Sequence, residues 1–92
     1  MTNKETLTHI AGRLITCHDD LLLSQVTRWE GSEAHYASYE LELNKALDYV
    51  YELSYWQYRY MLEYMIEYSK DSTTRLLHCH QIVCKLMDDL HI

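Results

Sequence analysis

Histidine and cysteine are the residues of this 92-residue chain whose types and spacing could do chemistry. The run His78-Cys79-His80 is followed by Cys84, and Cys17-His18 stands near the other end. His80 and Cys84 are four residues apart, so on a helix both project from one side and could reach one zinc ion. Structural zinc sites take four Cys or His ligands in a tetrahedron. Within one chain the missing donors would be Cys17 and His18, which the helix lengths below place ~20 Å further along the molecule. Two chains around a symmetry axis could instead each supply His80 and Cys84. The ordinary alternative is buried thiols and a histidine satisfied by a hydrogen bond. No metal or cofactor is therefore expected, and His80 and Cys84 stay as the metal candidates.

Covalent catalysis needs a thiolate with a base in hydrogen-bond reach and a pocket for the substrate. Cys–His neighbours exist, but a thin helical hairpin with a third short helix offers no cleft. Arg59, Glu63 and Glu67 are helical neighbours at a spacing typical of surface ion pairing. No Gly-rich phosphate loop, HExxH or GxSxG occurs. The chain is not expected to be an enzyme or to bind a small-molecule substrate.

A different constellation carries more weight. In the segment 47–68, LDYVYELSYWQYRYMLEYMIEY, the charged residues Asp48, Glu52, Arg59, Glu63 and Glu67 recur at helical spacing. They cover roughly a 100° arc at 100° per residue. Nearly all the rest is Tyr, Trp, Leu, Met, Val or Ile. Tyr49, Leu53, Trp56, Tyr60 and Tyr64 form one stripe at spacings of three and four, with Arg59 at its edge. An aromatic centre with a polar rim is the layout of an interface, and these six are the expected partner-binding residues.

The elements that must position these groups are helices. Pro is absent and Gly stands only at 12 and 31, so breakers are few. The expected fold is all-α in a single domain over 1–92: three helices with a long central helix, a hairpin or bundle completed by a second chain. Helix one, about 3–29, opens on a Thr2/Glu5 capping box. Its apolar face is Leu7, Ile10, Ala11, Leu14, Ile15, His18, Leu21, Leu22 and Trp29. Gly31 is expected to end it at positive φ, with Ser32 capping the next helix. Helix two, about 33–69, spans roughly 55 Å without a break. Lys70-Asp71-Ser72 then leads into helix three, about 73–90, with Leu76, Cys79, His80, Val83, Cys84, Met87 and Leu90 on one face. Helices one and three overlap by only ~10 Å along helix two. The aromatic face is thereby left for a homodimer or a protein partner.

Net charge is −6, with acids and bases interspersed. No basic stripe exists to neutralise phosphates, so neither nucleic acid nor an anionic membrane is an expected partner. The first residues, MTNKETLTHIAGRL, contain no apolar core with a cleavage site, and no segment is apolar enough to span a membrane. A cytoplasmic protein with free thiols is expected.

Trp29-Glu30-Gly31, at the turn between two helices, resembles the WxG hairpin of the small acidic helical proteins exported by type VII secretion. That resemblance implies a secreted, dimeric helical hairpin. The chain departs from the pattern in its third helix and in Tyr68 to Asp71, which misses that family's Tyr-x-x-x-Asp/Glu spacing by one. The residues themselves favour a non-enzymatic helical interaction protein, acting as a small acidic inhibitor or adaptor of a larger partner. A phage- or mobile-element-encoded inhibitor of a host machine is an example. The alternatives are a secretion chaperone, the WxG-type hairpin, and a structural zinc-binding dimer.

Overall fold

A computed structural model describes residues 2–27 and 31–90. Among these residues the fold has four helices: α1 (Asn3–Val26), α2 (Gly31–Val50), α3 (Trp56–Tyr68) and α4 (Thr73–Leu90). No strand occurs among the described residues.

Local chemistry explains where α1 and α4 begin. The Glu5 amide donates to Thr2 Oγ1 at 3.1 Å, and Glu5 Oε1 accepts from the Thr2 amide at 3.3 Å. Two orphan donors are satisfied by this reciprocal pair. Ser72 caps α4, its hydroxyl accepting from the Arg75 amide at 3.3 Å. Gly31 does not act as the expected stop. It is the first residue of α2 and no described glycine has positive φ. Ser32 lies inside α2, where its hydroxyl donates to the Ser24 carbonyl at 2.7 Å and ties the two helices together. Trp29 and Glu30 lie outside the described residues, and with them most of the WxG motif.

The expected single helix over 33–69 is not formed. It is split between Val50 and Trp56, and the molecule measures 44 × 20 × 19 Å rather than the roughly 55 Å that helix alone would need. No Gly or Pro marks the break. It stands because two side chains from outside the break, one of them distant in sequence, satisfy its backbone. The Ser54 amide donates to Asn3 Oδ1 at 3.0 Å, and Arg59 Nη2 donates to the Leu53 carbonyl at 2.8 Å. Glu52 and Leu53 close the end of α2 with tight bonds to the Tyr49 and Val50 carbonyls. Leu53 then drops into the core, fully buried.

The break changes which helix is central. Pairs such as Arg13–Glu42, Cys17–Tyr39 and Asp20–Ser38 run α1 antiparallel to α2. Ala11–His80 and Thr8–Met87 run it antiparallel to α4. Helix α3 folds back and touches α2 and α4 but not α1. The four helices thus close an up-down-up-down ring. Its core is Leu7, Ile10, Leu14, Cys17 and Leu21 of α1, Tyr39, Leu43, Ala46 and Val50 of α2, Leu76, Cys79 and Val83 of α4, and only Leu62 and Ile66 of α3.

Candidate protein-docking face on α3

Helix α3 is the shortest of the four and is held to the bundle along one narrow stripe. Leu62 and Ile66 are buried there, with Tyr58 and Met65 packed beside them. At 100° per residue, positions 56, 60, 64 and 68 fall on the opposite side of the helix. Trp56, Tyr60, Tyr64 and Tyr68 are accordingly 62, 69, 72 and 58% exposed. They form a ladder rather than scattered rings. Trp56 and Tyr60 meet edge to face with centroids 5.9 Å apart, and Tyr64 and Tyr68 stack at 6.2 Å.

The ladder has two unlike edges. Toward α2 stand Glu63, which accepts from the Tyr51 hydroxyl at 2.8 Å, and Glu67, paired with Lys70 at 2.7 Å. Toward α4 lies an apolar groove lined by Tyr64, Met65, Tyr68, Arg75 and His78. The Arg75 guanidinium sits 4.3 Å over the Tyr68 ring and carries the positive charge of that edge.

Of the six expected partner-binding residues, the structure brings three together on this face: Trp56, Tyr60 and Tyr64. The other three do not share it, because the break rotates 49–53 away from 56–64. Tyr49 belongs to α2 and stacks on His9 at 4.7 Å. Leu53 is a core residue, and Arg59 is turned inward to the Leu53 carbonyl. Tyr68 extends the ladder by one turn, and its spacing from Tyr64 was the available signal. Arg75 had none, since only the α3–α4 turn brings it to Tyr68.

The metal candidates lie elsewhere. His80 Nδ1 is 2.9 Å from the Ala11 carbonyl, which makes it the donor and leaves Nε2 facing Cys84 Sγ at 3.6 Å. Cys17 is not ~20 Å further on as the lengths suggested. It is six residues from Ala11 on α1, ~9 Å along the axis. Its thiol donates instead to the Tyr39 carbonyl at 3.7 Å, and His18 Nδ1 pairs with Asp19 at 3.0 Å. No group of three or more His, Cys, Asp or Glu able to hold an ion occurs among the described residues. Burial pushes the Cys17 thiol up to about 12 and the Cys79 thiol up to about 11, so neither is a thiolate at neutral pH. Among the described residues no helix is long and apolar enough to cross a membrane. Compared with protein-family models, curated proteins and solved structures, the chain matches none.

Proposed function

We propose that this chain is a non-enzymatic helical interaction protein that docks a protein partner on the α3 face, as an inhibitor or adaptor of that partner in the cytoplasm. The observation behind this reading is the ladder itself. Four large rings, each more than half exposed, occupy one side of a 13-residue helix that contributes only two residues to the buried core. Contiguous exposed apolar surface of this kind marks interaction sites, and Tyr and Trp lead among residues that dominate binding energy. Three free thiols, two of them buried, suit a reducing compartment. The rim of Glu63, Glu67, Lys70 and Arg75 suits a protein surface better than a phosphate backbone, because its acids balance its bases.

The test is affinity capture with wild-type bait and with a Trp56→Ala/Tyr60→Ala bait, followed by mass spectrometry of retained proteins. A partner held by the first and lost by the second, at equal helicity, supports docking on α3. A partner retained equally by both baits counts against it, and so does the absence of any protein, including a second copy of this chain, whose binding depends on these rings.

A further inference from the structure

We infer that the occupant of the α3 face is a second copy of this chain, paired with α3 parallel to α3 about a two-fold axis running along the helix. This rests on the docking reading above and specifies its partner.

Area is the first argument. A fully covered aromatic side chain buries about 150–250 Å². Four rings between half and three-quarters exposed therefore offer roughly 400–600 Å² per copy. Doubled, and with Met61 at the margin, this reaches the roughly 1,000 Å² that a specific interface requires, at the small end of the range. The ladder is also long enough to pair with itself, since 56 to 68 spans ~18 Å of helix.

Charge decides the direction. When two copies meet face to face, a two-fold axis perpendicular to the helices makes them antiparallel and sets each edge against its own copy. The acids of both copies would then line one side and the two Arg75 the other, at opposite ends and with no acid across from either. A two-fold axis along the helix exchanges the edges. Glu67 of one copy then meets Arg75 of the other, and both stand at the level of Tyr68. Each acid is already engaged at home, Glu63 by Tyr51 and Glu67 by Lys70, with Arg75 over Tyr68. Lys70 offsets the Glu67 charge, and Glu63, held by a neutral hydroxyl, leaves that edge net negative against the positive Arg75 edge. The parallel arrangement puts Trp56, Tyr60, Tyr64 and Tyr68 level with their counterparts in the second copy, with Tyr60 and Tyr64 nearest the axis.

Sedimentation over a concentration series on the full chain, joined to one cysteine variant, tests this. The wild type should dimerise with a Kd on the order of 1–100 μM, as a small interface implies. Tyr60→Glu and Tyr64→Glu, both at exposed positions, should each weaken dimerisation by ~10-fold or more at unchanged helicity. Gln57→Cys should form an interchain disulfide under mild oxidation. Parallel helices bring the two copies of position 57 to one level, whereas antiparallel pairing centred on Leu62 separates them by ~15 Å, beyond disulfide reach. A wild type monomeric throughout the series overturns the self-pairing and leaves docking of another protein to the capture experiment. A dimer indifferent to both glutamates overturns pairing through α3 and likewise leaves docking of another protein to the capture experiment. A glutamate-sensitive dimer in which Gln57→Cys does not cross-link overturns the parallel arrangement.

Discussion

The Tyr39 hydroxyl accepts the amide hydrogen of Asp71 at 2.8 Å, joining the middle of α2 to the turn between α3 and α4. Asp71 is the described non-glycine residue with positive φ, at 62°. Its carboxylate accepts from the Tyr36 hydroxyl at 2.6 Å, so two tyrosines one helical turn apart hold the turn from both sides. The left-handed backbone, costly for an L-residue with a Cβ, is kept by these contacts. The turn in turn fixes where α4 starts against α1.

Tyr39→Phe should destabilise the fold by about 1–2 kcal/mol, since it leaves the Asp71 amide without its acceptor. Asp71→Gly should be more stable than Asp71→Ala, because glycine relieves the positive φ while both lose the Tyr36 bond. Urea denaturation ranks the three variants. Equal stability of the Gly and Ala variants would show that the turn is not strained at this position.

Arg59→Met should cost about 1–3 kcal/mol by removing the charged donor to the buried Leu53 carbonyl. The effect should be local. Hydrogen exchange of the amides at 51–56 should accelerate more than that of the α1 core, and uniform acceleration would argue against Arg59 as the holder of the break.

Gly12 lies exposed in the interior of α1, and a Cβ built there meets nothing within 4 Å. Gly12→Ala should therefore stabilise the protein by about 0.5–1 kcal/mol, through helix propensity and a less disordered unfolded chain. Thermal melts read this directly, and a lower midpoint would mean that this surface is not open.

Stability should fall at alkaline pH. Burial raises the Cys17 and Cys79 thiols to about 12 and about 11 in the folded chain, whereas both titrate in the ordinary thiol range once unfolded. Below roughly pH 8.5 both states hold the protons and the thiols favour neither. Above it the unfolded chain ionises first, so stability declines by up to about 1.4 kcal/mol per pH unit per thiol until the folded thiols also ionise. Tyr39, raised by its own burial, adds to the decline at higher pH. Denaturation between pH 8 and 11 should give a steep slope in the wild type and a shallower one in Cys17→Ala. Identical slopes would count against a buried, protonated Cys17.

The sequence by itself determined the helical class, the capped start of α1, and the apolar faces of α4 and of α1 as far as Leu21, Leu22 being exposed. Each of these depends on residues within a turn or two of one another: a Thr–Glu pair, a scarcity of breakers, a 3.6-residue period. The Trp56–Tyr60–Tyr64 stripe was legible for the same reason. Tertiary structure alone decided that the long aromatic segment is two helices. Nothing local to Ser54 breaks a helix, and the groups that satisfy the break come from Asn3, 51 residues away, and from Arg59 turned back on itself. That one event moved Leu53 into the core and separated Tyr49 from the ladder. It also made α1 the helix packed between α2 and α4, and set Arg75 beside Tyr68. A backbone hydrogen bond lost at a break stabilises nothing until a distant side chain replaces it, and the spacing of residues along the chain does not encode that replacement.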